Sequence, residues 1–183
     1  MWGSCRCSLP SMLELDSNLP QKPSTRTRGN VYLLPGQWYF GHKGELVRTL
    51  LGSCVAVTLW HPTRKVGGMC HFLLPERRRT PSTVLDGRYG DEAVDLLVRE
   101  IQKTGIKTDE FEAQLYGGAD TMPEESSVKF NVGERNVEKA WALIDQHRFQ
   151  LMAVDVGGND PRSVSLDLIT GAVALRRGGG SAP

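Results

Sequence analysis

The sequence predicts an α+β domain built from layered mixed β-sheets that are flanked by helices. Short apolar runs rich in β-branched residues recur between residues 31 and 176, and two longer segments carry apolar residues at helical spacing. The elements follow each other as strands, helix, strand, helix and strands, with no internal repeat. Because no clean succession of βαβ units occurs and no glycine pattern fits a dinucleotide-binding loop, a layered mixed sheet is favoured over a Rossmann-type domain.

The strands are predicted from apolar runs that end at turn residues. In one of them Val55, Val57 and Leu59 alternate with Ala56, Thr58 and Trp60, which is the period of a strand. Gly67-Gly68 lies in the next run and indicates a bulge or a close backbone approach. The runs comprise residues 31–34, 38–40, 55–60, 66–74, 111–116, 151–155, 163–167 and 172–176.

Two helices are predicted from apolar residues three and four positions apart. In the first, Asp91 is the candidate N-cap and Gly105 the candidate left-handed end, and the buried face carries Val94, Leu97, Val98 and Ile101. In the second, Asn136 is the candidate N-cap and His147 lies in the last turn. Its predicted buried face carries Val137, Trp141 and Ile144.

The composition predicts one globular domain with flexible ends. The chain has 183 residues, 39% of them hydrophobic and 23% charged, which is enough to bury a core without disulfides. We expect a poorly ordered arm over residues 1–30, one domain over 31–177 and a flexible tail over 178–183. A net charge of +1 argues against a nucleic-acid or membrane-surface partner, and the run Arg77-Arg78-Arg79 is interpreted as a solvated loop.

The sequence predicts a cytoplasmic protein with reduced thiols. No apolar run approaches the length of a membrane span, and the N-terminal residues lack the form of a signal peptide. The four cysteines do not make a disulfide framework, so a reactive thiol is permitted. Cys5 and Cys7 lie in the arm, where two ligands without a second pair are a weak metal signal, and incidental thiols are the favoured interpretation.

The segment from Thr49 to Pro75 carries the candidate chemistry. It reads as two apolar strands joined by a short connection, with Cys54 at the entry of the first and His71 late in the second. In an antiparallel hairpin the numbers of opposed residues sum to a constant. A sum near 125 or 126 places Cys54 opposite His71 or Phe72, close enough for sulfur and imidazole to share a proton.

From the residues alone, both a structural and a catalytic interpretation of this pair remain open. Cys70 is the competing nucleophile, but it is adjacent to His71 and therefore points to the other face of a strand. That makes Cys70 a small buried apolar residue, and it disfavours a metal site built from Cys54, Cys70 and His71. Backbone N–H groups beside Gly52 and Ser53 could form an oxyanion hole.

Sequence blocks along the chain resemble the CheD family, the chemoreceptor glutamine deamidases of bacterial chemotaxis. The resemblance spans roughly residues 31–175. The blocks occur in this order: Leu51-Gly-Ser-Cys-Val-Ala-Val57, Gly67-Gly-Met69, His71-Phe-Leu-Leu-Pro75, Tyr116-Gly-Gly-Ala119, Gly133-Glu-Arg-Asn136 and Asp155-Val-Gly-Gly-Asn159. The resemblance implies a CheD-like cysteine hydrolase fold and a single catalytic domain over residues 31–177.

The resemblance also implies the roles of the site residues. Cys54 is expected as the nucleophile, His71 as the base and Thr49 as the third residue, which orients the imidazole through its hydroxyl or carbonyl. The thiolate is expected to pair with imidazolium and to have a depressed pKa. It would attack a glutamine side chain, release ammonia and leave a thioester that water hydrolyses to glutamate, with no metal or organic cofactor.

The implied partners are the cytoplasmic helices of methyl-accepting chemotaxis receptors and a CheC-type phosphatase. A glutamyl methyl ester is an easier acyl donor than an amide, so methylesterase activity at the same site is also open. The alternative hypothesis is a non-catalytic chemotaxis module that has kept the fold while binding the receptor or the phosphatase. That hypothesis predicts a degraded triad, whereas Cys54 and His71 are both present.

Overall fold

A computed structural model of the chain describes residues 29–42, 44–77, 84–120 and 131–178. Residues 1–28 of the predicted arm lie outside the described residues. The predicted tail after Gly178 and the arginines at 78 and 79 also lie outside them. The elements are β1 Gly29–Leu33, β2 Trp38–His42, β3 Glu45–Leu51, β4 Val55–His61, β5 Val66–Phe72, α1 Gly90–Thr104, β6 Glu112–Gly117, α2 Val132–Gln146, β7 Gln150–Val156, β8 Arg162–Asp167 and β9 Val173–Arg177.

The strands form two mixed sheets, which confirms the predicted α+β class. One sheet has the order β2-β5-β4-β6-β7 and the other has the order β1-β3-β8-β9. The pairs β1/β3 and β6/β7 are parallel, and the remaining pairs are antiparallel. Among the described residues, no helix has both the length and the apolar character needed to cross a membrane.

Strand β4 lies at the centre of the molecule and is buried on both faces. Val55, Val57 and Leu59 face the cluster that α1 and α2 complete, whereas Ala56 and Trp60 face the four-stranded sheet. The layers are therefore helices, five-stranded sheet and four-stranded sheet. Because both faces of β4 are covered, its residues are apolar or small, with the buried Thr58 and His61 as the exceptions.

The β4/β5 hairpin has a different register from the predicted one. Val55 pairs with Phe72 and Ala56 with His71, so opposed residues sum to 127 and Cys54 does not lie opposite His71. In the four-residue connection, Lys65 adopts a left-handed conformation (φ 54°). Glycine or asparagine would have indicated such a conformation in the sequence, whereas lysine does not. Gly67 marks a close approach, because a Cβ there would lie 2.2 Å from the Leu59 carbonyl oxygen.

Helix α1 has the predicted buried face, and Gly105 ends it at φ 73°. Its N-cap is Tyr89, so the predicted cap at Asp91 is wrong, and Asp91 lies in the first turn.

Another finding corrects the interpretation of Arg77 as a solvated loop residue. The Arg77 Nε lies 2.7 Å from a carboxylate oxygen of Glu92, whose side chain is 1% exposed. A buried carboxylate requires such a partner.

Helix α2 begins five residues earlier than predicted. The Asn131 side chain accepts a hydrogen bond from the Glu134 backbone N–H, so Asn131 is the N-cap and Asn136 lies inside the helix. The pattern of Asn131 followed by glutamate three residues later is a capping signature, which the glycine at 133 obscured. Trp141 is 43% exposed, so its predicted place on the buried face is also wrong.

Candidate active site

The side chains of Thr49 and His71 meet between the two sheets. Thr49 belongs to β3 of the four-stranded sheet, and His71 belongs to β5 of the five-stranded sheet. The Thr49 Oγ1 and the His71 Nδ1 lie 2.7 Å apart, and each residue is 1% exposed. This contact joins the faces of two different sheets, so it depends on how the sheets pack.

The hydrogen bonds of Thr49 determine which ring nitrogen of His71 carries the proton. The Thr49 hydroxyl donates its single hydrogen to the Leu33 carbonyl oxygen at 2.8 Å. It can therefore only accept from His71, so Nδ1–H is the donor. The neutral ring then has its lone pair on Nε2, which is buried and has no hydrogen-bond partner among the described residues. An unpartnered lone pair at that nitrogen is what a general base requires.

Cys54 lies in the turn between β3 and β4, and the loop after β6 holds that turn in place. The carbonyl oxygens of Gly52 and Cys54 accept hydrogen bonds from the N–H groups of Ala119 (3.0 Å) and Gly118 (2.8 Å). A Cβ at Gly117, where φ is 113°, would lie 2.2 Å from the Cys54 carbonyl oxygen. The glycine pair therefore allows the backbones to approach closely, and Cys54 itself is half-buried.

Cys54 and His71 are diagonal neighbours rather than opposed residues. His71 lies opposite Ala56, and Cys54 precedes Ala56 by two positions, so the strand alternation brings Cys54 toward the same face. Diagonal neighbours in antiparallel strands are about 7–8 Å apart. In agreement with this separation, His71 Nε2 makes no hydrogen bond to the thiol. The structure brings Thr49 and His71 into contact and leaves Cys54 adjacent to them.

Burial sets the charge state of both reactive groups. It lowers the pKa of His71 to about 4, and the nearby Leu33 carbonyl opposes that shift only partly. Burial also raises the pKa of the Cys54 thiol, although the Cys54 backbone N–H favours the thiolate. Both groups are therefore neutral at pH 7. The depressed thiol pKa that the resemblance implied is not a property of this state.

The competing cysteine lies on the opposite face of β5, as predicted. Cys70 is fully buried in the cluster that contains the helices, and burial raises its thiol pKa to about 12. A thiol in such surroundings is a poor nucleophile. Since its neighbour His71 points between the sheets, the two side chains cannot share one metal ion with Cys54.

Asn136 of α2 contacts both segments that carry the reactive residues, which sequence reasoning missed. Its Nδ2 donates to the Leu73 carbonyl oxygen at 2.7 Å and to the Ser53 carbonyl oxygen at 3.3 Å. Ser53 precedes Cys54, and Leu73 follows His71 by two residues. The sequence did contain a signal for this role. Because Asn131 already caps the helix, Asn136 is not needed as a cap and lies inside the helix.

A buried threonine–histidine pair beside a half-buried cysteine contains the groups that cysteine-dependent hydrolases use. The family model for CheD chemotactic sensory transduction matches residues 73–177. A protein of Chromobacterium violaceum, named probable chemoreceptor glutamine deamidase CheD 1, is 45% identical over 88% of this chain and 85% of its own length. A relative in Pseudomonas savastanoi with the corresponding name is 44% identical over 80% of this chain and 83% of its own. The chain therefore belongs to the CheD family.

The family model begins after His71, so it does not include Thr49, Cys54 or His71. The alignment with the Chromobacterium violaceum protein does include them. That alignment leaves out only 12% of this chain. More residues than that precede Thr49, and more also follow His71, so the aligned region extends across all three positions. Among solved structures, the hypothetical protein YfiH of Bacillus licheniformis shows a TM-score of 0.42 at 10% identity, over 67% of this chain and 51% of that chain.

Proposed function

We propose that this chain deamidates glutamine side chains of chemoreceptors and thereby tunes chemotactic adaptation, with Cys54, His71 and Thr49 as its catalytic residues. The observation that carries the proposal is the hydrogen bond from His71 Nδ1–H to Thr49, which leaves the Nε2 lone pair available near Cys54. Family membership supplies the substrate class, since the curated relatives are named as chemoreceptor glutamine deamidases.

In the first step, His71 Nε2 takes the proton of the Cys54 thiol as the sulfur attacks the side-chain carbonyl carbon of glutamine. Because thiol and imidazole are both neutral at rest, the proton moves during the attack rather than beforehand. The Thr49 oxygen stabilises the resulting imidazolium by accepting from Nδ1–H. A full thiolate is therefore not needed in the resting enzyme.

The tetrahedral oxyanion needs hydrogen-bond donors, and the turn before β4 supplies two. In a trans peptide the N–H points away from the carbonyl of the same unit. The Gly52 carbonyl points to Ala119 and the Ser53 carbonyl to Asn136. The N–H groups of Ser53 and Cys54 consequently point away from this scaffold and are the proposed oxyanion donors.

In the second half of the reaction, imidazolium returns its proton to the departing nitrogen. The C–N bond breaks, ammonia leaves and a thioester joins Cys54 to the substrate. His71 then removes a proton from water, which attacks the thioester carbon and releases glutamate with the thiol restored. A glutamyl methyl ester would pass through the same thioester with methanol as the leaving group, so methylesterase activity is expected as a side reaction.

Two exposed apolar side chains lie close in sequence to the proposed site. Leu34 and Leu74 are 55% and 41% exposed, and they follow Leu33 and His71 closely in sequence. Exposed apolar groups beside a site are typical of protein-binding surfaces. We propose that the receptor's cytoplasmic helices dock on this rim in the cytoplasm, and that a CheC-type phosphatase is a second partner.

The test is peptide mass spectrometry of a receptor cytoplasmic fragment incubated with the purified chain. Deamidation replaces an amide NH₂ by OH, and the resulting mass gain maps to single glutamines. Wild-type protein is expected to produce it on at least one receptor. If several receptors gain nothing while the chain still binds them, the alternative of a non-catalytic interaction module replaces the enzyme.

A further inference from the structure

We propose that Asn136 is a positioning residue that orients the peptide between Ser53 and Cys54 and thereby aims an oxyanion donor at the substrate. The inference rests on the proposed function for its reaction type, acyl transfer to Cys54, and not for the identity of the receptor. It explains the block Gly133-Glu-Arg-Asn136, to which the deamidation chemistry assigns no step.

The burial of Asn136 cannot be explained by helix stability. Asparagine is a weak helix former, and a buried amide costs free energy unless its polar atoms are paired. Asn136 is 0% exposed inside α2, and its Oδ1 has no hydrogen-bond partner among the described residues. Its Nδ2, in contrast, donates to the carbonyl oxygens of Ser53 and Leu73. The hydrogen bonds to those two carbonyl oxygens therefore account for the presence of a buried asparagine at this position.

The bond to Ser53 determines a direction at the nucleophile. No cis peptide occurs among the described residues, so the Cys54 N–H points opposite to the Ser53 carbonyl oxygen. While Asn136 holds that oxygen, the N–H is directed away from α2. The bond to Leu73 ties the same amide to the end of β5, which carries His71. One side chain therefore links the oxyanion donor to the strand of the base.

The helix that carries Asn136 is held firmly against the Cys54 turn. A Cβ at Gly133 would lie 2.6 Å from the Gly118 carbonyl oxygen, so the two backbones are in direct contact. Gly118 in turn donates to the Cys54 carbonyl oxygen. Asn136 follows Gly133 by about one helical turn, which places its side chain on the same face of α2. Any larger residue at 133 would push Asn136 away from Ser53.

The experiment compares two reactions of Cys54 that need different help. Acylation by p-nitrophenyl acetate passes through a tetrahedral oxyanion, whereas alkylation by iodoacetamide does not. We expect Asn136→Leu to slow acylation about tenfold or more while alkylation of the Cys54 peptide changes much less. With a receptor fragment, kcat should fall about 100-fold and KM should stay near the wild-type value.

Two further variants keep the test decisive. Asn136→Asp has the same shape but loses both donors when ionised, and it serves if the leucine variant does not fold. Thr58→Val removes a different, partly buried hydrogen bond of β4, to the Gln114 carbonyl oxygen, and should leave both reactions unchanged. Acylation and alkylation that fall together, or that both stay at wild-type rates, would overturn the inference. If receptors are not deamidated but acylation alone is lost, the substrate proposal fails and the role of Asn136 stands.

Discussion

The hydroxyl of Thr49 provides a sharp test of the proposed mechanism, because Thr49→Val removes it with little change of shape. In the wild type this oxygen accepts from His71 Nδ1–H and donates to the Leu33 carbonyl oxygen. The variant leaves both of those buried groups without their partner. His71 then loses the contact that determines both its tautomer and its orientation.

The expected loss of stability can be worked out from these two groups. An unsatisfied buried polar group costs about 1–3 kcal/mol. The Leu33 carbonyl lies close enough to His71 to influence its pKa, so a turn of the ring would let the two orphaned groups bond to each other. We therefore expect the free energy of unfolding to fall by about 1–3 kcal/mol in total, instead of by that amount for each group.

The same ring turn moves Nε2 away from Cys54, so the larger effect is on catalysis. Misplacing a reacting group by about 1 Å costs on the order of 100-fold in rate, and we expect kcat of Thr49→Val to fall by that factor. KM should change little, because Thr49 is 1% exposed and its side chain is therefore not accessible for binding a substrate. Steady-state deamidation of a receptor fragment measures both constants, and urea unfolding measures stability.

Thr49→Ser is the matched control, since it keeps the hydroxyl and loses only a methyl group. It should retain most of kcat. If Thr49→Val kept wild-type kcat while His71→Ala was inactive, then orientation by Thr49 would not contribute to the mechanism. If the serine and valine variants lost activity equally, packing at position 49 rather than the hydrogen bond would be responsible.

Four further outcomes are expected from the structure. Cys54→Ala should abolish deamidation and Cys70→Ala should keep most of it, since the two sulfurs face different clusters; the reverse result would contradict the face assignment. The pKa of His71 is about 4 in the folded chain and about 6.5 when unfolded, so the unfolded chain binds more protons between those values. The free energy of unfolding should therefore fall as the pH falls through that window, by about 3 kcal/mol at pH 4. Urea unfolding of the wild type and of His71→Gln measures this loss, because the variant lacks the titrating imidazole. If stability depended on pH in the same way in both proteins, the expected titration of His71 would be refuted. The acid limb of kcat/KM should likewise lie well below pH 6.5, and a midpoint near 6.5 would show that His71 is not the base. Leu74→Asp should raise KM for the receptor fragment but leave acylation by p-nitrophenyl acetate unchanged, and an unaltered KM would argue against docking at Leu74.

Features encoded by neighbouring residues were predictable from the sequence. Helix α1 was recognised from its apolar spacing and from Gly105, which ends it in the left-handed conformation. The terminal hairpin of β8 and β9 and the burial of Cys70 were likewise expected. Each of these depends on alternation, helical periodicity or a turn residue, which a short stretch of chain contains completely.

Errors arose where a local signal was incomplete or competed with another. The hairpin register was wrong because Lys65 adopts a left-handed conformation that its identity does not announce. The start of α2 was wrong because Gly133 appeared to interrupt a helix that Asn131 in fact caps. Arg77 was interpreted as solvated because nothing near it in sequence indicates the buried carboxylate of Glu92.

The sequence by itself determined the family and nominated Thr49, Cys54 and His71, because these depend on residue identity and order along the chain. Only the tertiary structure decided how those residues meet. The packing of one sheet on the other places the Thr49 hydroxyl on His71, and the docking of α2 on Gly118 brings Asn136 to Ser53. These contacts join residues 22 and 83 positions apart. Their geometry depends on how whole layers fit together, which no local pattern of residues specifies.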